Sequence, residues 1–351
     1  MNLSVGIVGL PNAGKSTLFN ALLRKQVAFA ANYPFATIEP NIGVVPVPDP
    51  RLSVIAPLVK TEKIVPATVN FVDIAGLVAG ASKGEGLGNK FLAHIREVDL
   101  ICQVLRSFDD PNVVHIAGSV DWRRDKEIVE TELILADLQT LEKQPEPRMN
   151  ADKDERLRWE RIKLLKEKLG QGMSAKDVLK TKEDVKLVSQ LQLLTMKPVI
   201  HVFNVSESQL KTAIPNAPSG SVNISAKIES ELAELSQDEQ TAYLKELGLA
   251  QSGLERLIQK AYQQLDLISF LTGGELEARA WTIKRGTLAP QAAAVIHTDF
   301  EKHFIKADVM PFEKFVALGG WVPAREQGKV AIVGRDYEMK DGDVVEFKIG
   351  N

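Results

Sequence analysis

The sequence lacks several features that mark secreted, membrane or nucleic-acid-binding proteins. Its one cysteine, Cys102, cannot form an internal disulfide, and its place in the apolar run 98–105 predicts a buried thiol in a reducing compartment. No apolar run approaches the roughly 20 residues that span a bilayer. The apolar N-terminus is typical of a first strand and has no basic leader. The net charge of −3 gives no argument for nucleic-acid binding. We therefore expect a cytoplasmic protein with no membrane association and no sequence-specific DNA binding.

The strongest motif lies at the start of the chain. Residues 3–8 are typical of a buried strand and lead into Gly9-x-x-x-x-Gly14-Lys15-Ser16, a complete phosphate-binding loop. The glycines let the backbone wrap around phosphate oxygens, and the N-terminus of the helix predicted after the loop attracts them. Lys15 adds a full charge near the β- and γ-phosphates, and Ser16 offers a hydroxyl to Mg²⁺. A chance match is the alternative, but the flanking strand and helix favour a nucleotide site.

Two further elements of a nucleotide switch follow in the expected order. Thr37 lies in a proline-broken loop and is a candidate second Mg²⁺ ligand that senses the γ-phosphate. Asp73 ends a predicted strand, begins the sequence Asp-Ile-Ala-Gly, and can hold a Mg²⁺-bound water. Gly76 can donate its backbone N–H to the γ-phosphate. Residues 76–88 carry five glycines, which indicates a mobile switch, with a plain flexible surface loop as the alternative.

The residue that assists hydrolysis differs from that of the small regulatory GTPases. Small regulatory GTPases have a water-orienting glutamine directly after this glycine, whereas this chain has Leu77. Two substitutes are visible. Asn12 in the phosphate loop could hold a monovalent cation such as K⁺, and His115 follows a predicted strand and loop and could reach the site. A packed or solvent-exposed histidine is an equally good interpretation of His115.

The base-recognition motif departs from the guanine-specific pattern Asn-Lys-x-Asp. The chain has Asn204-Val205-Ser-Glu207, so the lysine is replaced by valine and the aspartate by glutamate. The Asn204 amide can still meet an adenine edge, since it both donates and accepts hydrogen bonds. Ser225 and Ala226 belong to a Ser-Ala-Lys turn predicted beside the base. These residues favour ATP, with GTP bound more weakly.

The pattern changes between residues 124 and 195, which read as nearly all helical. Leucines and isoleucines recur there at spacings of three and four, which predicts antiparallel helices packed as a short coiled coil or hairpin. The segment Gln144-Pro-Glu-Pro-Arg148 breaks the pattern and predicts a turn or link. Residues 142–170 contain nine Lys/Arg against seven Asp/Glu, typical of a solvated face first and of an RNA or protein contact second.

At 351 residues the chain can form two or three domains. We expect a doubly wound, mostly parallel α/β nucleotide-binding domain formed by residues 1–123 and 196–266, with the helical insertion at 124–195. Residues 267–351 predict a separate small α+β domain of strands and two helices, with an Asp-Gly hairpin turn near its end. It carries no phosphate loop or metal cluster in its sequence, so a binding role is expected for it.

Together the motifs resemble the YchF/Obg-like ATPase family over nearly the whole chain. The matching stretches, beside the phosphate loop, are Tyr33-Pro-Phe-Ala-Thr-Ile-Glu-Pro-Asn, Asp73-Ile-Ala-Gly-Leu, Ala81-Ser-Lys-Gly-Glu-Gly-Leu-Gly-Asn, Asn204-x-x-Glu207, Arg279-Ala-Trp-Thr and Ala293-Ala-Val-Ile-His-Thr-Asp-Phe-Glu-Lys302.

The resemblance implies a doubly wound nucleotide domain with a helical insertion and a C-terminal TGS domain of β-grasp type. It also implies ATP in preference to GTP, slow hydrolysis, and association with the ribosome, which we expect at the large subunit. By residue, it implies phosphate contacts along Asn12, Ala13, Gly14, Lys15, Ser16 and Thr17, Mg²⁺ contacts at Ser16 and Thr37, and base contacts at Asn204 and Val205. It implies a hydrolytic role for His115 as well.

The sequence thus predicts a Mg²⁺-dependent ATPase switch. An Obg-like GTPase, a regulatory protein in which ATP is only a ligand, and a small-substrate phosphotransferase are the alternatives. The phosphotransferase is disfavoured because the sequence has no evident arginine-rich lid.

Overall fold

The structure, a computed structural model, describes residues 4–32, 41–74, 87–110 and 119–350. Its packing forms two compact units. The N-terminal unit consists of Leu3–Gly43 and Asn70–Leu257, and the C-terminal unit consists of Val44–Val69 and Ile258–Asn351.

The first sheet contains the strands of the predicted nucleotide domain, in the spatial order β2-β4-β1-β5-β6-β7. The strand bounds are β1 Ser4–Val8, β2 Ile42–Pro46, β4 Thr68–Asp73, β5 Leu100–Arg106, β6 Val199–Asn204 and β7 Val222–Ile224. The pairs β1–β4, β1–β5, β5–β6 and β6–β7 are all parallel. Every residue of β5 is buried, as expected for an inner strand of a parallel sheet. The strand order reverses around β1, so the crevice at its carboxyl end is the expected ligand site.

Helices cover both faces of this sheet. Their bounds are α1 Lys15–Asn32, α3 Leu87–Glu97, α4 Trp122–Glu142, α8 Ala226–Leu232, α9 Gln237–Glu246 and α10 Gly253–Gln264. Apolar residues of α3 and α4 pack with Val8 and Ile101. Near the carboxyl end of β6, Ile228 and Leu232 of α8 pack with Phe203. The predicted doubly wound α/β fold is confirmed.

The helical insertion continues from α4 into α5 Lys153–Gly170, α6 Ala175–Val178 and α7 Lys182–Val188. Apolar residues of this region, among them Leu141, Ile162 and Leu165, form one buried cluster. The end of this region is less regular than the sequence predicts. After α7 ends at Val188, two 3₁₀ turns follow, Ser189–Leu191 and Leu194–Met196, and Gln192 between them has a left-handed backbone with φ of 48°.

The second sheet lies in the C-terminal unit and has the order β11-β10-β12-β8-β9-β3. The bounds are β3 Ile64–Val65, β8 Leu267–Gly273, β9 Ala278–Lys284, β10 Phe304–Pro311, β11 Ala331–Val333 and β12 Asp343–Ile349, with helices α2 Arg51–Leu58, α11 Ala289–Ile296, α12 Asp299–His303, α13 Phe312–Leu318 and α14 Trp321–Glu326. Residues of α11 pack against Phe270, Val309 and Val345 to form its core. The α+β character predicted for this region is confirmed.

The predicted hairpin at Asp341–Gly342 is wrong. Gly342 does have the positive φ of a tight turn, 81°, but the strand that follows it, β12, pairs with β10 and β8 rather than with the preceding β11. An Asp-Gly pair therefore marks a reversal of the chain without fixing which strand is the partner.

The packing also divides the chain differently from the predicted boundaries. Residues Val44–Val69 belong to the C-terminal unit, where β3 pairs in parallel with β9 and Ile55 of α2 lies beside Gly273. Their partners are far away in the sequence, so no local pattern reveals the association. The predicted boundaries, 1–123 with 196–266, 124–195 and 267–351, stay a prediction about how the chain divides into functional domains.

Candidate functional site

The phosphate loop joins the end of β1 to the start of α1, as predicted, and its backbone is tightly constrained. Gly9 and Gly14 have φ of 152° and 96°, and Asn12 adopts a left-handed φ of 62°. A Cβ on Gly9 would lie 2.4 Å from the Val104 carbonyl oxygen, and one on Gly14 would lie 2.1 Å from the Asn204 Nδ2 atom. The glycines are therefore required by neighbouring protein atoms as well as by any phosphate.

Lys15 is the first residue of α1, and its side chain is held along the loop. The ammonium donates a hydrogen bond to the Leu10 carbonyl at 2.9 Å, and the residue is only 8% exposed. Burial lowers the pKa of Lys15, an effect that the Asp73 carboxylate opposes. The loop thus keeps an ammonium in a partly desolvated place, where its attraction to a phosphate is strengthened.

Asp73 lies at the carboxyl end of β4, opposite Ile7 of β1. Burial raises the pKa of Asp73, and the neighbouring charge of Lys15 partly offsets this effect. A half-buried carboxylate of this kind is stabilised by a cation. Ser16 and Thr17 lie exposed at the N-terminus of α1, an 18-residue helix.

Ser16 and Asp73 fit a Mg²⁺ ion that is held by few protein groups. Ser16 would supply a hydroxyl ligand, and the Asp73 carboxylate would hold a water bound to the metal; both are oxygen groups of the type that Mg²⁺ prefers. Within the described residues there is no group of three or more His, Cys, Asp or Glu side chains that could hold a metal.

A cavity of about 750 Å³ lies next to the phosphate loop, a volume suited to a nucleotide base and ribose. It brings together most of the predicted nucleotide-binding residues, namely Asn12, Gly14, Thr17, Asn204, Val205, Glu207, Ser225 and Ala226. The other predicted loop residues, Ala13, Lys15 and Ser16, do not line it. Ala13 is buried, at 3% exposure.

Asn204 has a role that the sequence did not reveal. Its Nδ2 donates to the Ala13 carbonyl and its Oδ1 accepts from the Ala226 N–H, both at 3.0 Å, and the residue is 5% exposed. The amide therefore joins the phosphate loop to the Ser-Ala-Lys turn. Glu207 is exposed at the cavity and Val205 is 2% exposed. Ser225 accepts a hydrogen bond from the Ile228 N–H and so caps α8.

The cavity also contains residues that were not predicted for the site. Phe108, Asp109 and Asp110 follow β5 and line one side, and Lys227 of the Ser-Ala-Lys turn lies on the wall. The signal that could have found the first three is their position, because the carboxyl ends of neighbouring parallel strands meet at one edge of the sheet.

Three predicted site residues, Thr37, Gly76 and His115, lie outside the described residues, as does Leu77. Their roles stay predictions.

A family model described as "50S ribosome-binding GTPase" matches residues 4–150, and the model YchF-GTPase_C, described as a protein of unknown function, matches residues 267–350. The chain is 47% identical to "Ribosome-binding ATPase YchF" of Bacillus subtilis and 45% identical to that of Haemophilus influenzae, with 99% of each chain covered in both cases. The chain belongs to the YchF family.

A solved YchF structure extends the likeness to three dimensions. The structure titled "Structure of the Schizosaccharomyces pombe YchF GTPase" superposes with a TM-score of 0.87 at 36% identity, and covers 99% of this chain and 98% of its own. The family and the fold class expected from the sequence are both confirmed. In the described part of the chain, no helix combines the length and apolarity needed to cross a membrane.

Proposed function

We propose that this protein is a Mg²⁺-dependent ATPase switch that binds the ribosome in the cytoplasm, at the large subunit. The observation that carries the nucleotide part is the cavity beside the phosphate loop, which Asn204, Val205 and Glu207 line together. The bacterial relatives named ribosome-binding ATPases support the ATP and ribosome parts.

Preference for ATP rests on the chemistry of the cavity. A guanine reader needs a carboxylate at a fixed place and a lysine stem against the base, whereas this cavity offers the buried Val205 and the longer, exposed Glu207. A hydrophobic wall without a dedicated guanine acceptor removes the preference for guanine. GTP remains the second candidate, because one matching family model and one solved relative are described as GTPases.

In the proposed mechanism, the phosphate loop binds the triphosphate through its backbone N–H groups and the Lys15 ammonium. Mg²⁺, when bound, would neutralise phosphate charge, with Ser16 and Thr37 as its protein ligands and Asp73 holding a water bound to it. Gly76 senses the γ-phosphate, and loss of that group releases the segment that follows it. The helical insertion and the C-terminal domain transmit the change to the ribosome.

Competition binding tests the choice of nucleotide. A fluorescent ATP analogue is titrated with Mg²⁺ present and then displaced with unlabelled ATP or GTP. We expect ATP to displace it at lower concentration. Stronger displacement by GTP would show that the protein prefers guanine and acts as an Obg-like GTPase.

Lys15→Ala tests the phosphate site, with Lys25→Ala as the matched control. Both lysines lie on α1, but Lys25 faces Glu255 at 3.7 Å and not the loop. We expect binding to be lost only in Lys15→Ala. Unimpaired ATP binding by Lys15→Ala would overturn the site assignment.

Ribosome association is tested by sedimentation with 70S, 50S and 30S particles, with ADP or a non-hydrolysable ATP analogue. We expect co-sedimentation with 50S and 70S particles that depends on the nucleotide. Equal binding with both nucleotides would rule out a switch.

The hydrolytic group is tested by comparing His115→Ala with replacement of K⁺ by Na⁺. Loss of hydrolysis in His115→Ala alone would assign the role to His115. Loss on removing K⁺ alone would assign it to a cation held by Asn12, which is exposed in the phosphate loop and lines the cavity.

A further inference from the structure

Arg106, the last residue of β5, is one of the largest fully buried side chains among the described residues, at 2% exposure. Removing a guanidinium from water costs free energy unless its N–H groups are satisfied. Arg106 also lies in register with Asn204 of the neighbouring strand, at the edge of the sheet next to the base cavity. A buried guanidinium at this position needs hydrogen-bond acceptors from the protein.

The Arg106 side chain folds back onto the loop that follows it. Its Nε donates to the Phe108 carbonyl at 3.2 Å, and one terminal nitrogen donates to the Asp110 carbonyl at 3.4 Å. Its guanidinium carbon lies 4.6 Å from the centroid of the Phe108 ring. The same side chain thus fixes the backbone of the loop and one aromatic ring on it.

The beginning of this loop is fixed independently. The Ser107 N–H donates to the Asn204 carbonyl at 2.8 Å, which ties the loop to β6. Phe108 and Val205 both line the base cavity. Phe108 therefore both contacts the Arg106 guanidinium and lines the cavity.

We infer that Arg106 is a positioning residue for the nucleotide base, which it serves by holding Phe108 in place as an aromatic wall of the cavity. The inference rests on the proposed function, since it requires a nucleotide in the cavity. An arginine suits the task because its planar fork can donate to two carbonyls while its face lies on a ring. A lysine has the charge but neither the fork nor the flat face.

The test compares Arg106→Lys, Phe108→Leu and the double variant. Base stacking on an aromatic side chain contributes enough that its loss weakens binding about tenfold or more. We expect each single variant to weaken ATP binding by about tenfold, and the double variant to bind no worse than Phe108→Leu.

Two readouts separate a base effect from a general structural effect. Inorganic tripolyphosphate occupies the phosphate loop without a base, so its affinity should be the same in all variants. The triphosphate of 2-aminopurine riboside loses fluorescence on stacking, so wild-type protein should quench it at saturation and the variants should quench it less.

Arg123→Lys is the matched control. The Arg123 guanidinium lies 4.5 Å from the Trp122 ring centroid and donates to the Pro215 carbonyl at 3.2 Å, but Arg123 does not line the cavity. We expect it to bind ATP as wild type does. If Arg106→Lys fails to fold, Phe108→Leu and Phe108→Trp test the wall without disturbing the buried charge. Weakened ATP binding in Phe108→Leu with retention in Phe108→Trp is then the expected result.

Unchanged ATP affinity in a folded Arg106→Lys protein would overturn the inference. So would an equal loss of ATP and tripolyphosphate affinity, because that would place the effect at the phosphate loop. Unchanged ATP affinity in Phe108→Leu would overturn it as well. Failure of the wild-type protein to bind any nucleotide would instead refute the proposed function, and the inference with it.

Discussion

Replacement of Gly14 by alanine tests whether the phosphate loop and the Asn204 amide are in contact as the structure places them. The new Cβ would lie 2.1 Å from the Asn204 Nδ2 atom, and the backbone of Gly14 has φ of 96°. Asn204 would have to move, and with it the two hydrogen bonds that join Ala13 to Ala226.

Two costs follow from this geometry. An L-residue in the left-handed region costs about 1–2 kcal/mol relative to glycine. Leaving buried polar groups unsatisfied after Asn204 moves costs about 1–3 kcal/mol. We therefore expect a total of about 3 kcal/mol, equivalent to roughly a 100-fold change in an equilibrium constant.

The assay is a pair of measurements on each variant, the free energy of unfolding in denaturant and the dissociation constant of an ATP analogue with Mg²⁺. In Gly14→Ala, we expect the loss in free energy of unfolding and the loss in ATP-binding free energy to sum to about 3 kcal/mol. Gly170→Ala is the control, since Gly170 ends α5 and a Cβ there meets nothing within 4 Å. It should be neutral or stabilising by up to about 1 kcal/mol.

The double variant Gly14→Ala/Asn204→Ala isolates the contact. Because Asn204→Ala removes the group that clashes, the double variant should lose less than the sum of the two single variants. Strict additivity, or a Gly14→Ala protein as stable and as tightly binding as wild type, would refute the reasoning.

The remaining predictions concern charge. Burial raises the pKa of Asp73, so the folded state loses stability as the pH rises above the usual aspartate range and Asp73 ionises. Asp73→Asn should therefore raise the Tm of the nucleotide-free protein at pH 7 and abolish the Mg²⁺-dependent rise in Tm with ATP; a lower nucleotide-free Tm would contradict this. Burial lowers the pKa of His201 to about 4, so the folded state binds fewer protons and loses stability as the pH falls from about 6.5 to about 4. Denaturant unfolding across that interval should show a fall about 3 kcal/mol smaller in His201→Phe than in wild type, whereas equal falls would show that His201 does not titrate in this way. Arg51 donates charge-assisted hydrogen bonds to the carboxylates of Asp341 and Asp49 within the C-terminal unit, so Arg51→Met should lower the free energy of unfolding by about 2 kcal/mol. Arg285→Met removes the exposed ion pair with Asp266 and should lower the free energy of unfolding by under about 1 kcal/mol. Equal losses in the two variants would show that the Arg51 contacts stabilise the fold no more than an exposed pair does.

Much of the site could be predicted because its signals are local. The phosphate loop needs particular residue types at fixed spacing, and the strand before it and the helix after it are visible as apolar patterns. Asp73 was placed correctly at the carboxyl end of a strand for the same reason. The replacement of the guanine motif at Asn204 and Glu207 could also be seen directly, although its consequence for the base stays a prediction.

Other features could not be predicted because they depend on partners distant in the sequence. Arg106 reads as the polar end of an apolar strand, and only the folded chain shows that its guanidinium is buried under the loop carrying Phe108. Asn204 was expected to face the base, but its hydrogen bonds to Ala13 and Ala226 arise where three chain segments meet.

The sequence by itself determined the class of fold, the phosphate loop and the order of the switch elements. Each of these follows from the periodicity of apolar residues or from chemistry at short spacing. Only the tertiary structure decided that Val44–Val69 joins the C-terminal unit and that the predicted Asp341–Gly342 turn does not form a hairpin. Strand partnership is decided by the burial of whole faces across the sheet, and that free energy belongs to no single stretch of the chain.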